Sequence, residues 1–163
     1  MKDKQEAEKK PPANELAYWT ETLAEPELLK RGVMLNFHAD GWAFAVPIGK
    51  LRQGGDIQFV RKRVAQEAFK LLSGKKGFPN LQVIRGRHSL TRKAMAYYGV
   101  RWGDRPPFDG WDWGDPICGL LLGVHYGYRS KAIADLVELY QKTRRLFNRT
   151  TILALIEASR CHM

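Results

Sequence analysis

The sequence lacks the features of a secreted, disulfide-rich or membrane-spanning protein. It has only two cysteines, Cys118 and Cys161, and they make neither a disulfide framework nor a metal-binding spacing. It has no run of about 18 apolar residues, and its charged N-terminus does not resemble a signal peptide. We therefore expect no membrane partner and a reduced, cytoplasmic setting.

Acidic residues are too few to balance the basic ones. The chain carries 27 Lys and Arg against 17 Asp and Glu, which gives a formal net charge of +10. The charged residues at positions 2–10 nearly cancel, so almost all of this excess belongs to the rest of the chain. Such a charge favours a polyanionic partner, most often nucleic acid. We expect DNA as a partner, and a basic protein that binds an acidic partner protein is the alternative.

Apolar residues make up 44% of the sequence, enough for one core. We expect residues 1–14 to be a disordered charged arm and residues 15–163 to be a single α/β domain of the α+β kind. It would contain a small mixed sheet with packed helices, and the C-terminal part, from about residue 128, would be helical.

The hydrophobic periodicity and the turn residues place the individual elements. A short helix pair is expected before a hairpin, and a longer helix, a strand and another helix follow. Two adjacent prolines and several glycines then predict a long irregular loop. The predicted ranges are 16–29 for the helix pair, 33–46 for the hairpin, 57–72 for the longer helix, 81–85 for the strand, 89–99 for the next helix and 101–116 for the loop.

The segment VIRGRHSLTRKA, residues 83–94, is the strongest candidate for a phosphate-binding site in the sequence. A strand that leads through Gly86 into a helix capped by Ser89 would present free backbone N–H groups and the positive end of a helix dipole. Arg87, His88 and Arg92 would add donors for a phosphate. The alternative is a capped helix whose basic side chains point to solvent.

A longer segment, VIRGRHSLTRKAMAYYGV, resembles the nucleotide-binding signature of the ParB/sulfiredoxin-like superfamily. In that signature a strand, a glycine with basic residues, an Ala-rich helix and a closing glycine follow one another. The AVPIGKL segment is similar to the strand that opens such domains, so the resemblance covers about residues 43–100. It implies a ParB/sulfiredoxin-like fold and a phosphate site at Gly86, Arg87, His88 and Arg92.

The resemblance also implies a function. Members of the superfamily bind CTP or ATP, and they include plasmid partition proteins, sulfiredoxins and fertility-inhibition proteins with nucleotidase and nuclease activity. It thus implies ATP or CTP with Mg²⁺ as cofactor, and a role in plasmid maintenance or in inhibition of DNA transfer. Arg87 stands where a sulfiredoxin has its cysteine, so sulfinic acid reduction is disfavoured. In a separate departure from the signature, Ser89 stands where the signature has arginine. The sequence assigns no catalytic residue.

Two further groups of basic residues are candidates for nucleic-acid contact. Arg61, Lys62 and Arg63 fall in the first turns of the predicted helix 57–72, where the helix dipole disfavours cations unless an external anion compensates. Arg144, Arg145 and Arg149 lie in the predicted helical end. A non-enzymatic DNA-binding regulator that uses these C-terminal helices is the alternative to a nucleotide-binding protein.

Acidic and aromatic residues of the predicted loop are weaker candidates. Carboxylates could hold Mg²⁺ but also commonly cap turns, and the aromatic rings could stack on bases or fill the core. We expect core packing for the aromatic rings. The acidic residues are Asp104, Asp109, Asp112 and Asp115, and the aromatic residues are Trp102, Phe108, Trp111 and Trp113.

Overall fold

The computed structural model describes residues 11–88, 95–107, 115–140 and 148–161. Within these ranges the chain forms five α-helices, five strands and two short 3-10 helices, Pro26–Arg31 and His38–Asp40. The α-helices are α1 (Ala13–Thr22), α2 (Lys62–Leu72), α3 (Pro116–His125), α4 (Ser130–Tyr140) and α5 (Arg149–Cys161). The strands are β1 (Val33–Asn36), β2 (Trp42–Ala45), β3 (Gly54–Phe59), β4 (Gln82–His88) and β5 (Met95–Gly103).

The strands form two separate sheets, and both are antiparallel. Strands β1 and β2 pair as the predicted hairpin, with Val33 opposite Ala45. The other sheet has the order β3-β5-β4, so β5 is its central strand. The α+β class is confirmed, although the sheets within the described residues are antiparallel rather than mixed.

The three-stranded sheet has one apolar and one polar face. Ile57, Tyr98, Val100 and Trp102 pack on the side of α2, which contributes Val64, Ala65, Ala68 and Leu72 to the same core. Side chains alternate along a strand, so the intervening polar residues project from the opposite face. Helix α2 covers only the apolar face, as is common for an antiparallel sheet.

The C-terminal helices build a second core around Ile133, Val137, Ile152 and Ile156, all almost completely buried. Helical structure begins at Pro116 rather than near residue 128, because the apolar run ICGLLLGV forms α3. The carboxylate of Asp115 accepts hydrogen bonds from the backbone N–H groups of Ile117 and Cys118, and Pro116 is well suited to a first helical position. Helix α3 is apolar nearly all round, so its sequence lacks the amphipathic period that identifies most helices.

The helix predicted over 89–99 is wrong where the structure describes it. Residues 95–99 belong to β5, which pairs with β4 along its whole length. The side chains of Tyr98, Val100 and Trp102 supply the period of two that a half-buried strand requires. The same period holds over residues 56–59, which belong to β3, so the helix predicted over 57–72 begins only at Lys62. Residues 101–103, predicted to be part of a loop, are the end of β5.

The N-terminal region follows one prediction and departs from another. Helix α1 and the 3-10 helix Pro26–Arg31 form the expected helix pair. Helix α1 begins at Ala13, inside the segment expected to be disordered, because Pro12 fits the position just before a helix. None of the helices within the described residues is long and apolar enough to cross a membrane.

Candidate functional site

The polar face of the three-stranded sheet borders an open cavity of about 490 Å³. Its volume lies within the range of roughly 300–1,000 Å³ typical of small-molecule sites. None of the described residues that line it is acidic. They are Asn80, Gln82, Ile84, Arg85, Tyr97, Arg101, Gly103 and Arg105.

The strand register explains which cations face this cavity. Arg101 lies opposite Gln82 on β4 and Asp56 on β3, so these three polar residues form one row across the sheet. Arg105 follows two residues after the end of β5 and is exposed. Arg85 borders the cavity too, but its guanidinium lies over the ring of Tyr98, 5.9 Å from the ring centroid. Arg101, Arg105 and Arg85 thus all line the cavity, and Arg85 in addition makes this cation–π contact with Tyr98.

Next to Arg101, on the same face of the sheet, Asp56 belongs to a polar network. Asp56, partly buried beside Arg101, accepts a hydrogen bond from the side chain of Tyr126. Burial raises the pKa of Asp56, while the positive charges of Arg101 and Arg52 and the hydrogen bond from Tyr126 oppose that rise. Burial together with the nearby charge of Asp56 raises the pKa of Tyr126, so its hydroxyl remains a donor over the whole accessible pH range.

Arg52 anchors this network in the protein interior. Its side chain is almost fully buried and donates to the carbonyl oxygens of Val46, at 3.3 Å, and Tyr126, at 2.6 Å. The rings of Trp19 and Tyr126 lie 5.9 and 5.8 Å from its guanidinium carbon. Burial lowers the pKa of Arg52, and the nearby carboxylate of Asp56 opposes this effect. Arg52 therefore connects the segment before β3 with the end of α3.

The turn that carries Arg52 is itself held by a buried carboxylate. Oxygen atoms of Glu25 accept hydrogen bonds from the backbone N–H groups of Lys50, Leu51 and Arg52, at 3.0, 2.7 and 3.2 Å. Gly49 allows this close approach, since a Cβ atom there would collide with the carboxylate. The turn is thus an anion-binding backbone nest that the chain's own Glu25 occupies.

His125, at the end of α3, borders the same region. It is 3% exposed, and its Nδ1 lies 3.3 Å from Oε1 of Gln53. Its Nε2 has no hydrogen-bond partner among the described residues. Burial lowers the pKa of His125, and the positive charges of Arg52 and Arg101 add to this, while Asp104 opposes it. His125 is therefore a neutral packing residue at neutral pH.

Gly86, predicted to lie in a phosphate-binding turn, is inside strand β4 opposite Tyr97. A Cβ atom at this position would overlap the Tyr97 ring, so glycine is required for ring packing. Arg87 and His88 continue β4, whereas Ser89 and Arg92 lie outside the described residues. Residues 87 and 88 extend the strand, so Gly86 lies within β4, and residues 89–94, where the predicted helix would begin, lie outside the described residues.

The predicted basic cluster at the start of α2 has an internal counter-ion. Arg61, Lys62 and Arg63 occupy the positions around the helix N-terminus, as expected. Arg61 and Arg63 both form ion pairs with Asp40 in the turn of the β1–β2 hairpin, at 2.6 Å for Arg61. The anion expected from outside the protein is supplied by the chain itself.

The C-terminal cations divide between described and undescribed residues. Arg149, the first residue of α5, donates to Asp135 at 3.0 Å and to Glu138 at 3.1 Å on α4. Hydrogen bonds from Lys131 and Arg149 lower the pKa of Asp135, so this pairing persists at neutral pH. Arg144 and Arg145 lie outside the described residues. The exposed face of α4 therefore carries carboxylates that pair with Lys131 and Arg149.

The remaining candidates have structural roles where they are described. Trp102 is 1% exposed in the core, so it does not stack on bases, and Asp115 caps α3. The described part of the chain contains no group of three or more His, Cys, Asp or Glu residues placed to hold a metal ion. Phe108, Asp109, Trp111, Asp112 and Trp113 lie outside the described residues.

Sequence reasoning missed the cavity and the network behind it. The sequence does contain a signal for this network, namely the alternation of apolar and polar residues in GGDIQF and GVRWG. This alternation puts Asp56 and Arg101 on the face opposite the apolar residues. Their pairing required the register of β3 against β5, which no local pattern supplies.

Comparison with known proteins identifies a family but no function. No curated protein and no solved structure matches the chain. The model of a family of unknown function, DUF6302, matches residues 7–154, which include both helical and sheet regions described above. Because this match covers nearly the whole chain, the protein belongs to the DUF6302 family.

Proposed function

We propose that this protein binds a phosphate-bearing ligand, most simply a nucleotide, on the polar face of its three-stranded sheet. The observation that carries the proposal is that Arg101 and Arg105 line one open cavity of about 490 Å³. Guanidinium groups donate in a planar fork that matches the oxygen atoms of phosphate, and they keep their charge at any physiological pH.

The other lining groups favour an organic phosphate over a bare inorganic one. Asn80 and Gln82 carry side-chain amides, which can both donate and accept hydrogen bonds. Ile84 and Tyr97 add apolar and aromatic surface. Such a lining combines a few polar groups for orientation with apolar contact, as small-molecule sites generally do.

The net charge of +10 supports the same ligand class, because it attracts any polyanion to the protein. Nucleotide hydrolysis, a nuclease activity and a role in plasmid maintenance or DNA transfer remain predictions of the ParB/sulfiredoxin-like resemblance. DNA itself is the second candidate ligand, favoured by the charge alone, and the binding experiment includes it.

The experiment is a calorimetric titration of the protein with inorganic phosphate, ATP, CTP and a short DNA duplex at constant ionic strength. We expect Arg105→Ala to weaken the binding of the preferred nucleotide about tenfold, the usual effect of losing one charge-assisted contact. Arg31→Ala is the matched control, since it removes the same charge from an exposed arginine that does not line the cavity. It is expected to change the affinity less than about threefold.

Two results would contradict the proposal. Equal losses in the Arg105 and Arg31 variants would mean that only the overall charge attracts the anion. Binding of DNA alone, unaffected by Arg105→Ala, would assign the function to a different surface.

A further inference from the structure

One carboxylate of the same sign as the proposed ligand neighbours Arg101, although it does not line the cavity itself. Asp56 lies directly opposite Arg101 in the register of β3 and β5, and both project from the polar face of the sheet. Residues opposite each other on neighbouring antiparallel strands have Cβ atoms about 5 Å apart, close enough to interact directly. An anion bound at Arg101 would therefore compete with Asp56 for the same guanidinium.

The groups around Asp56 come from three parts of the fold. Arg101 faces it from β5, Arg52 from the segment before β3, and Tyr126, after α3, donates a hydrogen bond to it. Two of these groups are cations, and both favour the ionised carboxylate. Burial acts in the other direction and favours the protonated carboxyl group.

From this arrangement we infer that Asp56 is a proton-linked positioning residue, whose ionised form opposes anion binding at Arg101 and whose protonated form permits it. The inference rests on the proposed function, because it concerns the same cavity. Binding of an anion would be coupled to uptake of a proton by Asp56, which leaves Arg101 to pair with the ligand. By linkage, the affinity for the anion would then rise as the pH falls.

The direction follows from elementary electrostatics. A negative ligand beside a carboxylate raises the pKa of that carboxylate, because two like charges repel at close range. The ligand-bound protein thus holds more protons than the free protein between the two pKa values of Asp56. The burial of Asp56 moves this window upward from the ordinary range of an aspartate.

Sulfate is the appropriate probe, because it remains a dianion over the pH range examined and so contributes no proton of its own. We expect the sulfate affinity of the wild-type protein to rise as the pH is lowered, because burial raises the pKa of Asp56 and protonation removes its charge. Asp56→Asn keeps an acceptor for Tyr126 but has no charge. It is expected to bind sulfate about tenfold more tightly than wild type at pH 7.5, with little dependence on pH.

A second variant covers the case in which Asp56→Asn does not fold. Tyr126→Phe removes the hydrogen bond that favours the ionised carboxylate, so the pH midpoint of sulfate binding should move upward. His125→Gln tests whether the nearby histidine, rather than Asp56, takes up the proton. If Asp56 does, this variant should keep the wild-type pH profile. Titrations of wild type in two buffers of different ionisation enthalpy would measure the proton uptake directly.

The outcomes separate this inference from the proposed function. Sulfate binding with parallel pH profiles in wild type and Asp56→Asn, and no proton uptake, would overturn the role of Asp56 and leave the binding site standing. A pH profile that disappears in His125→Gln would assign the proton to the histidine instead. Absence of sulfate, phosphate and nucleotide binding in both proteins would overturn the proposed function and the inference together.

Discussion

Replacing Trp102 with alanine is expected to lower the free energy of unfolding by about 4 kcal/mol, as large-to-small core substitutions of aromatic residues do. Trp102 is 1% exposed and packs edge-on against Phe78, with ring centroids 5.2 Å apart. It also lies between the sheet and α2, so its loss would leave a cavity at the centre of the largest core.

The hydrogen bond of Trp102 allows a graded test. Its indole Nε1 donates to the carbonyl oxygen of Val46 at 3.1 Å. Trp102→Phe keeps most of the packing but leaves this carbonyl without the indole donor, and it should cost about 1–2 kcal/mol. Trp42, which is 47% exposed, is the matched control, and Trp42→Ala should change stability by less than about 1 kcal/mol. Chemical denaturation measures the free energy of unfolding of Trp102→Ala, Trp102→Phe and Trp42→Ala. Equal effects at both tryptophans would contradict the assigned core.

Replacing Glu25 with alanine is expected to cost about 3 kcal/mol, because three backbone N–H groups lose a charged acceptor at once. The effect should extend beyond the turn. Arg52 is itself the last of the three donors and links that turn to Tyr126, so its position depends on the Glu25 carboxylate.

The neighbouring acidic residue provides the control for this prediction. Glu27 lies in the 3-10 helix that begins directly after Glu25, and it is exposed, so Glu27→Ala should change the free energy of unfolding by less than about 0.5 kcal/mol. Glu25→Gln, which retains one carbonyl acceptor, should fall between the two. An unfolding free energy of Glu25→Ala within about 0.5 kcal/mol of wild type would show that water replaces the carboxylate without loss.

The sequence predicted those elements whose pattern is local. The β1–β2 hairpin, the amphipathic α2 and the last helix all repeat their apolar residues at the expected period. Asp40 and Gly41 also predict the hairpin turn, and Gly41 has the positive φ of 92° that favours glycine.

The errors arose where local and tertiary preferences compete. Ala94, Met95 and Ala96 have good helix propensity, yet Met95 and Ala96 lie in the central strand of the sheet. Burial of Val100 and Trp102 against α2 requires an extended chain here, and this tertiary packing outweighs the propensity. The phosphate-binding turn expected at Gly86 relied on the same helix prediction, and Gly86 lies inside β4.

The candidate site, too, was predictable only in the part that depends on local sequence. Its arginines were visible as part of the charge excess, but the sequence did not separate Arg101 and Arg105 from the other cations. Arg61, Arg63 and Arg149 were equally basic candidates, but none of them lines the cavity, and each forms an ion pair with a carboxylate elsewhere in the chain. Those pairings are set by contacts between distant segments, which single-sequence patterns do not contain.

The most direct test of the account is to locate anion binding residue by residue. Backbone amide resonances of the ¹⁵N-labelled protein would be followed during a titration with phosphate and then with the preferred nucleotide. We expect the largest changes in β4 and β5, near Gln82 and Arg101, and in the segment that follows to Arg105. Changes centred instead on residues 61–63 or on the start of α5 would contradict the account and place the anion site on a basic helix end.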